Sequence, residues 1–295
     1  MKNEPIQDSP SQIPEKNEEL KMNSIKKSPL QKTHEIHPLL EYRNISIAKG
    51  DKVVLHDISV LVKEGENIAI IGPNGSGKST FLKTITREVY PMNTGQPTVF
   101  RTWGLDNWNV FDLRSHIGVV SNELQHTFTR NISGRDVLIS GFFSSIGLFN
   151  STITHAMEDR ADEIGEFLEI THLMKREIAD MSSDEARRLL IGRALIHHPK
   201  ILILDEPTSS LDLHTLHTLR TYLRKIAQRG IGIILVTHQL HDIIPEIHRI
   251  LMIKDGRIFR DGEKNKIITD NNISELFAIP VKIMEEGGYY YATGY

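Results

Sequence analysis

The chain has 295 residues, enough for one large α/β domain or two smaller ones, and its 39% hydrophobic and 25% charged residues are ordinary for a globular protein. A formal net charge of −3 excludes the strong basic excess of a general nucleic-acid-binding surface, so no nucleic-acid partner is expected. The absence of cysteine excludes disulfides, thiolate metal sites and cysteine nucleophiles, and fits a reducing compartment.

In chain order, residues 1–38 hold five of the twelve prolines among Lys, Glu, Asn and Ser, with no apolar core segment. That composition buries too little surface to offset its ordering entropy, so a disordered tail is expected rather than a signal peptide. A folded domain is expected over residues 39–285, with residues 286–295 as a C-terminal tail. Residues 39–47, 53–62 and 67–71 are short, rich in Val and Ile, and bounded by turns, so they predict strands. A glycine-rich loop and a helix over 80–88 follow. Further strands are predicted at 117–120, 201–204, 232–237 and 249–253, with helices at 186–197 and 213–228. The continuously apolar runs at 201–204 and 231–236 fit parallel strands covered on both faces, so the fold class is α/β. Residues 123–181 break the alternation and predict a helical insertion with a loop around 141–150. The stretch Gly141-Phe-Phe-Ser-Ser-Ile-Gly-Leu-Phe149 reads equally as core or as an exposed interface patch. No stretch approaches the roughly 18 apolar residues needed to span a bilayer.

Gly72-Pro73-Asn74-Gly75-Ser76-Gly77-Lys78-Ser79 fits G-x-x-x-x-G-K-[ST] between a predicted strand and a predicted helix that opens at Thr80. Such glycines let consecutive N–H groups turn inward around phosphate oxygens, and the following helix N-terminus adds a favourable dipole. Lys78 can then bridge the β- and γ-phosphates, and the Ser79 hydroxyl can ligate Mg²⁺. Ile201-Leu-Ile-Leu-Asp205-Glu206 is an apolar strand ending in two carboxylates. Asp205 suits the magnesium shell, and Glu206 suits a general base that polarises the attacking water.

With these motifs in place, residues 39–285 resemble the ABC transporter ATPase family. Ser209-Ser-Leu-Asp212 is similar to its D-loop, His238 in Val236-Thr-His238 to its switch histidine, and Met181-Ser-Ser-Asp-Glu185 with the following helix to its signature motif. The resemblance implies a P-loop NTPase of ABC type: a RecA-like parallel-sheet core, an antiparallel β subdomain and an inserted helical subdomain. It implies ATP and Mg²⁺ as ligands, Glu206 as general base, and His238 at the γ-phosphate with Lys78. It also implies a second ABC ATPase domain as partner, because each ATP would lie between one phosphate loop and the other domain's signature, here Ser182. Asn122 stands where the family has the Q-loop glutamine, one methylene shorter. Ser183 and Asp184 stand where the signature has two glycines, and Lys49 where an aromatic stacks on adenine.

The tail from Ile273 to Tyr291 resembles the ending of stand-alone import ATPases for metal chelates, cobalamin and molybdate-type oxyanions. That implies permease subunits, a substrate-binding protein, and a cytoplasmic location at the inner membrane face. Two alternatives stay open: a soluble ABC ATPase of ribosomes or DNA, and a regulatory ATP-binding protein of weak hydrolysis. The i, i+3 pairs His214/His217 and His238/His241 could each share a helix face, but no third metal ligand suggests itself.

Overall fold

The computed structural model describes residues 37–121, 127–128, 132–148, 152–208 and 211–294. Residues 1–36 of the expected tail, Asn122 and Ser209 of the D-loop lie outside this set.

Strands β1 (Leu40–Lys49) and β2 (Lys52–Val62) pair antiparallel across the Gly50-Asp51 turn. Next come β3 (Ile68–Ile71), helix α1 (Lys78–Ile85) and β4 (Val99–Thr102). β4 pairs with the free edge of β1, giving a three-stranded antiparallel sheet in the order β2-β1-β4. Helix α2 (Val110–His116) leads into β5 (Ile117–Ser121).

The central sheet adds β6 (Ile201–Asp205), β7 (Gly232–Thr237), β8 (Arg249–Lys254) and β9 (Arg257–Glu263), in the order β5-β6-β7-β3-β8-β9. All pairs are parallel except β8–β9. β3, β7 and the first four residues of β6 are buried throughout. Both faces are therefore covered, which is why these segments read as unbroken apolar runs rather than alternating ones. β3 comes early in the chain but lies between β7 and β8, so the carboxyl ends of β3, β6 and β7 are neighbours. Ile71 pairs with Thr237, and Asp205 with Val236.

The described part of the insertion holds α3 (Gly134–Ser140), a 3-10 turn at Gly141–Phe143, and α4 (His155–Phe167). It ends at α5 (Ser183–Leu195), which packs against both α3 and β5 and so joins the insertion to the sheet in one apolar core. α5 begins three residues earlier than the sequence pattern predicts. Ser182 and Glu185 form a reciprocal capping box that starts the helix inside the signature stretch. Phe142 and Phe143 are half-buried against the core, and Phe142 stacks edge-on to His197 at 5.1 Å. Among the described residues of that stretch the exposed large apolar side chain is Ile146, at 39%, and Phe149 lies outside the described residues.

After α6 (Leu213–Gln228) and β9, the chain continues through α7 (Lys264–Ile267) and α8 (Asp270–Phe277). It ends in a hairpin of β10 (Lys282–Glu286) and β11 (Tyr289–Thr293). The boundary expected at residue 285 is thereby corrected: residues 289–293 are a strand, and Tyr290 is buried in the main core. The Gly287-Gly288 link, both residues at positive φ, is the two-residue turn that lets the strands fold back.

Candidate functional site

The phosphate loop leaves β3 at the centre of the sheet. Gly72 passes so close to β8 that a Cβ there would lie 2.1 Å from the Ile253 carbonyl oxygen. Gly77 takes φ 106° at the N-cap of α1, where a Cβ would meet the Leu55 side chain at 2.7 Å. These are backbone requirements, and only glycine meets both without displacement. No side chain caps α1 and no acidic residue stands in its first turn. Its leading N–H groups therefore remain suited to an anion. Ser76 is buried with its hydroxyl oxygen unpartnered among the described residues, and Pro73 is partly buried. Asn74, Gly75, Gly77, Lys78, Ser79 and Thr80 line a cavity of about 460 Å³. Asp205 faces it from the end of β6 and Glu206 from the residue after it, Ser121 from β5, and Lys49 and Val54 from the antiparallel sheet.

The Lys78 ammonium donates to the carbonyl oxygens of Gly72 at 2.9 Å and Pro73 at 3.1 Å, and lies 3.8 Å from the Glu206 carboxylate. Burial lowers its pKa below the ordinary lysine value, while the Glu206 and Asp205 carboxylates oppose the shift. Glu206 adopts φ 49°, a left-handed conformation that a non-glycine residue holds only at a cost of about 1–3 kcal/mol. Its N–H donates to the Val236 carbonyl at 2.9 Å, so β7 holds the turn in place. His238 follows the end of β7, with its Nδ1 at 3.2 Å from Glu206 Oε1. Glu206 therefore stands between an ammonium and an imidazole. The set joins a cation suited to phosphate, a carboxylate suited to accept a water proton and an imidazole beside it.

A divalent cation fits the donors present. The Ser79 hydroxyl and the Asp205 carboxylate line one cavity, and both are hard oxygen ligands of the kind magnesium takes with phosphate oxygens and waters.

Residues 55–209 match the family described as ABC transporter. The ABC transporter ATP-binding protein YlmA of Bacillus subtilis is 32% identical over 250 residues, 83% of this chain and 93% of that protein. The chain belongs to the ABC transporter ATP-binding family. The hemin import ATP-binding protein HmuV of Aliivibrio fischeri is 31% identical over 79% of this chain and 88% of its own length. The ADP conformation of MJ1267, an ATP-binding cassette of an ABC transporter, superposes with a TM-score of 0.69 at 23% identity, covering 81% of this chain and 98% of that one. The fold is thus that of an ABC ATPase cassette, and the chain is an ATP-binding ATPase of transport.

Within one ABC chain, not every expected site residue comes together. Ser182 caps α5 and lines a separate cavity of about 430 Å³ with Asp184, His214 and Thr215. Asp184 Oδ2 accepts a hydrogen bond from Thr215 of α6, and the buried Arg187 guanidinium feels its charge. His214 and His217 lie on α6, whereas His238 follows β7 and His241 lies in the short 3-10 turn Leu240–Asp242, so the second pair shares no helix face. Sequence reasoning missed Val54 and Ser121 at the cavity. It also missed Thr208 and Thr237, whose hydroxyls both donate to the Asp242 carboxylate. Ser121 precedes the Q-loop position, so its place in the sequence was a usable signal. The three-residue network spans two strand ends and had none.

Proposed function

We propose that this chain is the energy-coupling ATPase of an importer, working as a dimer with itself or a relative. It would act with permease subunits and a substrate-binding protein at the cytoplasmic face of a membrane. The convergence of Lys78, Asp205, Glu206 and His238 at the carboxyl edge of the sheet carries the catalytic reading. The loop N–H groups between Asn74 and Thr80 and the Lys78 ammonium bind the phosphates of ATP. Mg²⁺, held by Ser79 and Asp205, would neutralise charge between the β- and γ-phosphates. Glu206 accepts a proton from water as the water oxygen bonds to the γ-phosphorus and the bond to the β–γ bridging oxygen breaks, with ADP leaving. His238 orients Glu206 and the γ-phosphate. Asn122, outside the described residues, is proposed at the Q-loop position. Ser182 is proposed to meet the ATP of the opposite subunit, since it lies away from its own chain's phosphate cavity. Lys49 borders that cavity and is proposed to cover the base with its stem. The import direction rests on the likeness to HmuV, a hemin import protein.

Among the described residues no helix is long and apolar enough to cross a membrane, which fits a role beside separate permease chains. The groove of about 440 Å³ between β5, α2 and the insertion, with Ile146 at its rim, is the proposed permease contact. Phe142 and Phe143 are half-buried against the core and leave Ile146 as the more exposed apolar side chain.

Glu206→Gln is the test. The amide cannot take the water's proton, so Mg-ATP binding should persist, turnover should fall at least a hundredfold, and an ATP-bound dimer should accumulate on gel filtration. Hydrolysis at the wild-type rate would remove Glu206 from the role of base.

A further inference from the structure

Close in sequence to His238 lies a buried carboxylate that the hydrolysis scheme does not use. Asp242, 1% exposed, ends the short turn Leu240–Asp242 that follows His238. Its Oδ2 accepts hydrogen bonds from two hydroxyls, those of Thr208 and Thr237. Thr208 is two residues beyond Glu206, and Thr237 immediately precedes His238. One oxygen atom thus ties the loop carrying Glu206 to the strand end carrying His238. The Thr237 oxygen also accepts from the Gln239 N–H at 2.9 Å, which closes the turn on itself. Oδ1 faces His241 Nε2 at 3.4 Å. The Arg220 guanidinium donates to the His241 carbonyl and lies over the Tyr289 ring at 4.6 Å, so α6 and the C-terminal hairpin anchor the same turn.

We propose that Asp242 is a positioning residue for ATP hydrolysis, setting the separation of Glu206 and His238 through the Thr208 and Thr237 hydroxyls. The inference rests on the roles proposed above for Glu206 and His238. Two physical arguments carry it. A buried carboxylate is expensive, and well-packed apolar residues of similar volume usually serve stability as well or better, so its energetic return lies elsewhere. Glu206 also holds a left-handed backbone conformation, which persists only where its surroundings over-determine it. The backbone bond to Val236 fixes one side of that turn, and the Thr208–Asp242 link fixes the other. Thr208 and Thr237 are β-branched, so their hydroxyls are stiff struts rather than adaptable ones. Burial pushes the Asp242 pKa upward; its two hydroxyl donors and then His241 oppose the shift.

The experiment compares Thr208→Val, which keeps the shape and removes the hydroxyl, with Thr208→Ser, which keeps the hydroxyl. Equilibrium ATP binding and kcat are measured for both, with Glu206→Gln as the reference for the base. The expected result for Thr208→Val is a kcat about tenfold lower, with ATP affinity within about twofold of wild type. Thr208→Ser should restore kcat to within about threefold of wild type. A single-turnover comparison in the His238→Ala background should show Thr208→Val adding no more than about a twofold further loss, because with the imidazole gone there is no Glu206–His238 separation left to set. A wild-type kcat in Thr208→Val, a parallel loss of affinity, no rescue by Ser, or an undiminished loss in the His238→Ala background would each overturn the proposal. A wild-type rate in Glu206→Gln would instead remove the assignment beneath it. Asp242→Leu, close in shape but without an acceptor oxygen, should reproduce the Thr208→Val pattern, and a wild-type kcat there would also overturn the proposal.

Discussion

The side chain of Glu185 shows how a residue in the stretch expected as the signature motif is held by local chemistry. The Ser182 N–H donates to its carboxylate at 2.8 Å, and Arg176 pairs with it at 2.6 Å. The backbone donor lowers its pKa below the ordinary glutamate value, burial opposes, and Arg176 adds to the lowering. A depressed folded pKa means stability that is present above the unfolded value and lost as pH falls through the folded one. Glu185→Gln keeps a capping acceptor but removes the charge. It should therefore unfold more easily than wild type at pH 7, by less than about 1 kcal/mol given its exposure to solvent screening. That difference should shrink as the pH drops below the ordinary glutamate range. Urea titrations of both proteins at pH 7 and at the lowest pH where both fold would check it. A gap that widens on acidification would contradict the sign.

At the scale of elements, the C-terminal hairpin is more than an ending. β11 carries Tyr290 into the core, Tyr289 lies under Arg220, and the strand contacts the Leu240–Asp242 turn. Truncating a buried aromatic of this size costs about 3–5 kcal/mol through lost transfer energy and the cavity left behind. Tyr290→Ala should lower the urea midpoint accordingly, whereas Met284→Ala on the exposed face of β10 should be near neutral. Equal effects of the two would place the hairpin outside the cooperative core. The helical insertion depends in the same way on α5, which serves both the insertion and β5. The break in strand–helix alternation therefore marks a subdomain without a separate core.

At the scale of the whole molecule, Asp184 matters because the proposed dimer would bring it against a second subunit's nucleotide. Two unit charges about 5 Å apart at an effective dielectric near 20 repel by roughly 3 kcal/mol. Within its own chain the carboxylate is directed to Thr215 with Arg187 nearby, and it sits in the first turn of α5, where negative charge is favourable. Asp184→Gly should thus act in two opposite ways. The fold should lose about 1 kcal/mol from glycine in a helix, while steady-state hydrolysis by the homodimer should rise and become less sensitive to salt. Thermal unfolding and an ATPase assay over a range of ionic strength would read both. An unchanged or lower rate would mean that the charge is already accommodated.

By itself, the sequence determined the α/β class, the phosphate loop, the carboxylate pair and the family. Each is written in contiguous residues whose spacing matches a local geometry: unbroken apolar runs for covered strands, glycines for the loop, acids at a strand end. It left β4, β9 and the C-terminal hairpin unread, because their strand character comes from pairing with distant edges rather than from their own apolar pattern. The tertiary structure alone decided that β3 lies beside β7 and that Lys78, Glu206 and His238 meet. It alone also decided that Asp242 links the ends of two strands that the sequence holds about thirty residues apart. The physical reason is that parallel strands are joined by long crossovers, so neighbours at the carboxyl edge of the sheet are always remote in sequence.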